Sequence, residues 1–234
     1  MKGFRTLAGT STLDGSRFTL QEHDGEFYLK LNGRQLMSTI ATVSELLLAE
    51  LACEHLGRHA HPRILIGGLG LGFSLRRVLE MVNLKAEVHV AELLPEVVAW
   101  NREFLADVNG RLLDDRRVTV LVEDVFAVIR RGHLARYDAI LLDVDNGPTS
   151  FVQAQNSRLY DRKGFGLIKG ALQPGGRVTF WSATDEPGFV RDLSRAGFQV
   201  RAVEAKAHER AKRSAHRIYV AQLGGVARAS SLRS

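Results

Sequence analysis

The stretch ILIGGLGLGF, residues 64–73, decides the fold. An apolar run leads into four glycines, Gly67, Gly68, Gly70 and Gly72, as a buried strand does when it turns sharply towards a helix. Because glycine has no side chain, another group can approach its backbone closely. The stretch therefore predicts a strand, a tight loop and a helix, with a phosphate, a nucleoside or only the packing of the next helix against the loop.

Strand-like and helix-like segments alternate from residue 63 onward. The strand-like segments are short and largely apolar throughout, which is typical of a parallel sheet covered by helices on both faces. We predict an α/β fold with a doubly wound, mostly parallel, seven-stranded Rossmann-like sheet. No clear helix separates the last two strands, so this pair is expected to be antiparallel. The predicted strands are residues 63–68, 87–93, 118–124, 137–144, 177–183, 198–205 and 216–223.

A different pattern precedes the sheet. Residues 1–42 contain short alternating runs separated by Asp-Gly and Asn-Gly pairs, which predicts a small β-hairpin or meander. Residues 43–57 have helical spacing, with Ser44 as the expected N-cap and Gly57 as the expected C-cap. We therefore expect three parts: an N-terminal β region at 1–42, a nucleoside-binding catalytic domain at 43–223 and a flexible basic tail at 224–234.

Composition limits the class of protein. The 234 residues are 45% hydrophobic and 25% charged, which suits one globular domain with a small appendage. No apolar run approaches the ~20 residues of a membrane-spanning helix, and the first residues lack the apolar centre of a signal peptide. We therefore expect a cytoplasmic protein with no membrane partner. The single cysteine, Cys53, lies among helical apolar positions and is expected to be a core thiol rather than a nucleophile.

The positive charge is local. Residues 201–234 contain eight lysines and arginines and two glutamates, which accounts for the whole net charge of +6. The stretch KAHERAKRSAHR, residues 206–217, concentrates this charge. Nucleic acid is an open partner for it, but it is not favoured because no aromatic residues are interleaved as a stacking platform. The histidines and the cysteine show no metal-ligand spacing, so no metal is expected.

Polar residues follow the predicted strands where each one ends. In a doubly wound sheet the ligand crevice lies at the carboxyl ends of the strands, so these residues are expected to meet there. Glu92 lies 20 residues after the last glycine, the distance at which a carboxylate accepts hydrogen bonds from ribose hydroxyls. Asp124 suits an adenine amino group, a helix N-cap, or both. The residues concerned are Gly67, Gly68, Gly70, Gly72, Glu92, Glu123, Asp124, Asp143 and Asp145.

Two cofactor classes use a glycine loop with a ribose carboxylate. Dinucleotide enzymes carry G-x-G-x-x-G, whereas Gly68, Gly70 and Gly72 are spaced G-x-G-x-G and are followed by Phe73. This spacing resembles the class I S-adenosylmethionine-dependent methyltransferases more than the dehydrogenases.

Within that fold the chain resembles the spermidine synthase family of aminopropyltransferases. The resemblance rests on the order of LNGRQLM, SELLLAEL, ILIGGLGLGFSLRRVLE, VHVAELLPEVV, DDRRVTVLVEDVFAVI, YDAILLDVDNGP and NSRLYDRKGFGLIKGALQPGG, which cover most of the chain. It implies that Glu92 holds the ribose, Asp124 the adenine, and Asp143 is the catalytic acidic residue, with Tyr160 near the acceptor. It also implies a small amine substrate and a homodimer.

Two departures from the family leave the donor open. The glycine loop has Leu69 and Leu71 where family members usually carry an aspartate, and DVDNGP replaces the usual D-S-T-D-P. The first strand also lacks the acidic residue with which many methyltransferases hold the methionine amine. The donor is therefore S-adenosylmethionine or its decarboxylated form.

An amine acceptor arrives protonated, so one carboxylate must take or steer its proton, and Asp143 and Asp145 are the candidates. On a continuous strand these two would share a face, but residues 145–148 also read as a simple turn. Glu45, beside Ser44, either borders the acceptor or belongs to a helix cap. Trp100, Phe104 and Trp181 are candidates for the pocket wall, although core packing is the commoner role of such residues. Three functions stay open: an aminopropyltransferase, a methyltransferase on a small molecule or RNA, and a non-catalytic adenosine-ligand binder.

Overall fold

The computed structural model describes residues 3–12, 14–57, 59–144, 154–211 and 213–224. A small antiparallel sheet comes first, in the order β1-β2-β3-β4. Its two tight turns have positive φ at both central residues, Asp24-Gly25 and Asn32-Gly33, which is the hairpin geometry that these pairs favour. The predicted N-terminal hairpins are thus confirmed. Their strands are β1 Arg5–Ser11, β2 Arg17–His23, β3 Glu26–Leu31 and β4 Arg34–Ser38.

The remaining strands form one seven-stranded sheet in the order β10-β11-β9-β8-β5-β6-β7. Five neighbouring strands, from β9 to β7, are parallel, and β11 is antiparallel to both β9 and β10. This confirms the doubly wound α/β sheet and its antiparallel final pair. The strands are β5 Arg63–Gly67, β6 Glu87–Glu92, β7 Val118–Val122, β8 Tyr137–Leu142, β9 Leu172–Ser182, β10 Phe198–Ala205 and β11 His216–Leu223.

Helices cover both faces of the large sheet. They are α1 Val43–Cys53, α2 Phe73–Met81, α3 Pro95–Glu103, α4 Ala106–Asn109, α5 Val125–Arg131, α6 Arg162–Ala171 and α7 Pro187–Arg195. Successive residues of a strand alternate between the two faces. Ile64 and Ile66 of β5 accordingly pack in one core, which also takes in Leu20 and Leu29 of the small sheet, while Leu65 packs in the other. Both sheets therefore share a core.

The helix expected at residues 43–57 is shorter than predicted. It begins after Thr42 and ends at Cys53, so both expected caps, Ser44 and Gly57, are wrong. The Ser44 hydroxyl lies inside the first turn and donates to the neighbouring Glu45 carboxylate instead of to the backbone. At the other end the chain turns to bury Leu56, whose N–H donates to the carbonyl oxygen of Cys53.

The direction of the chain sets the position of the crevice. From β5 the chain proceeds through β6 to β7 and then returns to place β8 on the other side of β5. Open α/β sheets bind ligands at this switch point, beyond the carboxyl ends of the strands. None of the helices in the described ranges is long and apolar enough to cross a membrane.

Candidate active site

A cavity of about 1080 Å³, measured out to its open mouth, lies at the carboxyl ends of the large sheet. Both sheets contribute to its wall, because residues of the small sheet close the side opposite the strand ends. Its lining residues are Thr12, Phe18, Leu29, Leu36, Met37, Glu45, Gly68, Gly70, Ala91, Glu92, Leu93, Leu94, Val97, Glu123, Asp124, Val125, Asp143, Val144, Asn156 and Trp181.

Only two of the four glycines line this cavity, Gly68 and Gly70. Both have positive φ, and a Cβ on Gly68 would lie 2.6 Å from the backbone oxygen of Asp143. The other two serve the framework. A Cβ on Gly67 would lie 2.8 Å from Cγ2 of Val125, and Gly72 is the N-cap of α2. Gly68 and Gly70 therefore line the cavity and Gly67 and Gly72 do not, while at all four positions an added side chain would meet protein.

The two loop leucines point away from the cavity. Leu69 is 4% exposed and Leu71 is fully buried, and both belong to the same core as α1 and α2. Their apolar side chains hold the loop to the protein, so the loop presents backbone rather than side chains to a ligand.

Glu92 joins the glycine loop to the end of β6. One carboxylate oxygen accepts a hydrogen bond of 2.9 Å from the N–H of Leu69, and the other accepts one of 2.9 Å from the N–H of Leu94. Burial raises the pKa of Glu92, and the backbone hydrogen bonds oppose that effect. Because Glu92 also lines the cavity, one carboxylate both supports the loop and belongs to the cavity wall.

Both acidic residues after β7 line the cavity and pair with arginines. Asp124 is the N-cap of α5: its Oδ1 accepts from the N–H of Phe126 at 2.8 Å, as predicted, and its Oδ2 accepts from Arg158 at 2.7 Å. Glu123 pairs with Arg131, and this hydrogen bond lowers the pKa of Glu123. Neither arginine was foreseen: Arg158 lies 34 positions from Asp124, and Arg131 lies eight positions from Glu123 at the other end of α5.

Asp143 lines the cavity directly after β8. Its N–H donates to the carbonyl oxygen of Gly67 at 3.1 Å, which fixes it beside the glycine loop at the switch point. The second predicted catalytic carboxylate, Asp145, lies outside the described residues. Tyr160 packs against Phe180 and Phe189, with ring centroids 5.9 and 5.8 Å away, and is not among the described residues that line the cavity.

Two residues weighed as core or capping residues belong to the cavity wall. Glu45 lines it from the first turn of α1, and Trp181 lines it from the end of β9. Trp100, in contrast, is a core residue stacked on Phe18, and Phe104 packs against the same core. Position in the last two residues of a strand would have identified Trp181, whereas nothing in the sequence pattern separates Glu45 from a helix-capping residue.

The wall of the cavity carries charge of one sign. Five carboxylates line it, and the described lining residues include no lysine, arginine or histidine. A concave wall of one charge attracts ligands of the opposite charge. In the described part of the chain, no group of three or more histidine, cysteine, aspartate and glutamate side chains is arranged to hold a metal ion.

Comparison with known proteins agrees with this architecture. Residues 48–192 match the model of the spermine/spermidine synthase domain. A polyamine aminopropyltransferase of Corynebacterium efficiens is 33% identical over 127 residues, which are 53% of this chain and 23% of that relative. One from Pyrobaculum calidifontis is 32% identical over 123 residues, which are 51% of this chain and 41% of the relative. The aligned region is thus less than half of either relative.

Solved structures show the same fold. Spermidine synthase from Thermotoga maritima superposes with a TM-score of 0.70 at 18% identity, covering 94% of this chain and 73% of that one. Human methyltransferase-like protein 13, in complex with SAH, superposes with a TM-score of 0.58 at 19% identity, covering 78% and 80%. The family model covers more than half of the sequence. The chain belongs to the spermine/spermidine synthase family.

Proposed function

We propose that the protein transfers an aminopropyl group from decarboxylated S-adenosylmethionine to a small amine. The observation that carries the proposal is the cavity in which Gly68, Glu92 and Asp143 meet. Bare backbone at Gly68 admits a flat nucleoside, Glu92 offers acceptors for ribose hydroxyls, and Asp143 stands where a protonated amine would need a carboxylate. Membership of the spermine/spermidine synthase family supports the same reaction.

The residues present fit an adenosyl sulfonium. The cavity wall combines apolar side chains with carboxylates and carries no lysine or arginine among its described residues, which suits a cation with an adenosine body. Asp124 offers its second oxygen to the adenine amino group, at the expense of its contact with Arg158. Asn156, whose side chain donates to the carbonyl oxygen of Val144 at 3.4 Å, closes this end of the wall.

The proposed reaction breaks the bond between the sulfonium sulfur and the aminopropyl carbon and forms a bond between that carbon and the acceptor nitrogen. The sulfonium becomes the neutral thioether methylthioadenosine, and the acceptor nitrogen loses one proton. Asp143 takes or steers this proton, so that the nitrogen lone pair is available for in-line attack. Asp145 and Tyr160 are kept as further candidates for acceptor binding, on the strength of the family resemblance alone.

The wider assignment rests on the same resemblance. We propose a homodimer acting in the cytoplasm, with residues 1–42 as the β region over the crevice, residues 43–223 as the catalytic domain and no role for nucleic acid. The last point is supported by the basic stretch at residues 206–217, which has no interleaved aromatic residues on which bases could stack. Sedimentation of the intact protein with and without RNA tests the dimer and the absence of RNA binding together.

Ligand-dependent melting tests the donor. A ligand that binds only the native state raises the melting temperature, by an amount that depends on its affinity. We expect decarboxylated S-adenosylmethionine and methylthioadenosine to stabilise the protein more than S-adenosylmethionine, and NAD to have no effect. Stabilisation by S-adenosylmethionine above the other ligands would favour a methyltransferase. Stabilisation by NAD alone would contradict an adenosyl sulfonium site.

A further inference from the structure

The carboxylates of Glu92, Glu123 and Asp124 in the cavity wall are held by strong partners within the protein. Glu123 pairs with Arg131 and Asp124 with Arg158, while Glu92 accepts two backbone N–H groups. These interactions compensate the cost of placing negative charge in a partly closed space.

Glu45 has weaker hydrogen-bond and ion-pair partners than these three carboxylates. It is only 6% exposed, and its side chain accepts a hydrogen bond of 2.8 Å from the hydroxyl of the adjacent Ser44. Within the described residues no lysine or arginine forms an ion pair with it, although Glu50 on the same helix and Glu54 at its C-cap pair with Arg77 and Arg177. A buried carboxylate without a cationic partner is costly, so this position favours either a protonated Glu45 or a positively charged neighbour.

The position of Glu45 relates it to the glycine loop. Its backbone carbonyl oxygen accepts a hydrogen bond of 3.3 Å from the hydroxyl of Ser74, which lies in the first turn of α2, directly after the loop. Its side chain lines the same cavity as Gly70. The loop itself supplies no acidic side chain, because Leu69 and Leu71 are buried in the core.

We propose that Glu45 is the carboxylate that binds a ligand ammonium group in this cavity, in place of an acid on the glycine loop. The proposal rests on the proposed function and adds to it a residue that positions an amine. The ammonium has two sources, the aminopropyl arm of the donor and the acceptor amine, and the chemistry of recognition is the same for both. Ionisation of Glu45 is consistent with this role: burial raises its pKa to about 7, and a bound cation would draw the proton off near neutral pH.

A pair of similar ligands, one with and one without an ammonium group, isolates the contribution of that group to binding. Methylthioadenosine and the aminopropyl thioether of adenosine share the nucleoside and the neutral sulfur, and differ in that the second carries an ammonium group. Calorimetric titration of the wild-type protein and Glu45→Gln with each compound measures how much the ammonium group of the donor contributes to affinity. Titration with a small aliphatic diamine in the presence of saturating methylthioadenosine measures the affinity for the acceptor amine.

The expected result is a selective loss. Glu45→Gln should bind methylthioadenosine as the wild type does, and should bind either the aminopropyl thioether or the diamine at least about tenfold more weakly, since a charge-assisted hydrogen bond is lost. The ligand whose affinity falls, the aminopropyl thioether or the diamine, identifies the source of the ammonium group that Glu45 binds. Glu50→Gln, on the same helix but paired with Arg77 and absent from the cavity wall, is the matched control and should change neither affinity.

Other outcomes are decisive in the opposite direction. If Glu45→Gln binds both amines as tightly as the wild type, the role of Glu45 is wrong while the nucleoside site stands. If the wild-type protein binds neither adenosine compound, the proposed function fails, and the role of Glu45 falls with it. Should Glu45→Gln not fold, Glu45→Asp replaces it: withdrawal of the carboxylate by one methylene should weaken one amine selectively, and unchanged affinity for both would overturn the proposal.

Discussion

Met37 of the small sheet lies directly over Gly70 of the glycine loop: a Cβ added at Gly70 would stand 2.6 Å from Met37 Sδ. The same loop meets the large sheet at Gly68, where an added Cβ would stand 2.6 Å from the backbone oxygen of Asp143. The loop is thus held between a flexible side chain on one side and a rigid strand end on the other. The small sheet is consequently part of the cavity wall as well as of the shared core.

Substitution of these two glycines should therefore have unequal effects. Gly68→Ala requires a left-handed backbone for a residue with a Cβ, at a cost of about 1–2 kcal/mol, and adds a clash with a carbonyl that cannot move independently. Gly70→Ala carries the same left-handed backbone cost but meets the end of a methionine that can change rotamer, so its loss of stability should be smaller. Urea unfolding of both variants measures the difference.

Gly166→Ala is the control for both. Gly166 lies within α6 with no atom near its added Cβ, so this substitution should stabilise the protein by about 0.5–1 kcal/mol. Equal unfolding free energies for Gly68→Ala and Gly70→Ala would contradict the contact geometry of the loop.

Substitutions of Asp124 should separate its effect on stability from its effect on nucleoside binding. Asp124→Asn retains a side-chain oxygen for the N-cap of α5, and the half-exposed ion pair with Arg158 contributes little, so stability should change by less than about 1 kcal/mol. An amide nitrogen facing the adenine amino group should nevertheless weaken methylthioadenosine binding about tenfold. Asp124→Ala should lose about 1 kcal/mol of stability as well. Full affinity in Asp124→Asn would remove this residue from the nucleoside site.

Glu45 should make stability depend on pH in a defined window. Its pKa is about 7 in the folded protein against 4.5 as the reference for the unfolded chain. Below pH 4.5 the carboxyl is protonated in both states, and between 4.5 and 7 only the folded state keeps the proton. The unfolding free energy of the wild type should therefore fall relative to that of Glu45→Gln, by up to about 3 kcal/mol, as the pH rises through this window.

The difference between the two proteins is the quantity to measure, by urea unfolding at several pH values. Other charged groups, on the elements around α1 and across the cavity, are common to both proteins and largely cancel. A difference that is constant with pH would show that Glu45 does not titrate there. The charged groups common to both proteins are Arg76, Arg77 and Glu80 on α2, Asp138 on β8, Arg177 on β9, Arg201 and Glu204 on β10, His216 and Arg217 on β11, and Glu92 and Asp143 in the cavity wall.

Cys53 should be chemically inert in the folded protein. It is 3% exposed, and burial raises the pKa of its thiol to about 12. Because the thiolate is the reactive form, a disulfide reagent at pH 8 should modify the native protein at least about a thousandfold more slowly than the denatured chain. Cys53→Ala should keep full activity. Rapid modification of the native protein, or loss of turnover without loss of folding, would contradict a purely structural role.

The sequence predicted those features that arise from local chemistry. Apolar strands identified all seven members of the large sheet, Asn-Gly and Asp-Gly pairs identified the hairpins, and an N-cap was one of the two roles expected of Asp124. Strand ends also indicated that Glu92 and Asp143 would lie together, because parallel strands bring their carboxyl ends to one edge.

Features that depend on distant contacts were not predictable in this way. The pairing of Asp124 with Arg158 spans 34 positions, and the contact of Met37 with Gly70 joins the two sheets. Ser44 was expected to cap α1, but the N-cap is Thr42, two residues earlier, and Glu45 in the first turn lines the cavity. Such contacts follow from how the sheets pack, which a periodic pattern does not record.

Formation of methylthioadenosine is the most direct test of the proposed reaction. The wild-type protein, supplied with decarboxylated S-adenosylmethionine and a small aliphatic diamine, should release methylthioadenosine and the aminopropylated amine over many turnovers. Asp143→Asn should slow this release by about a hundredfold or more while it binds methylthioadenosine as tightly as the wild type, because it loses the group that accepts the proton. Absence of methylthioadenosine from the wild-type reaction, or methyl transfer from S-adenosylmethionine in its place, would contradict aminopropyl transfer.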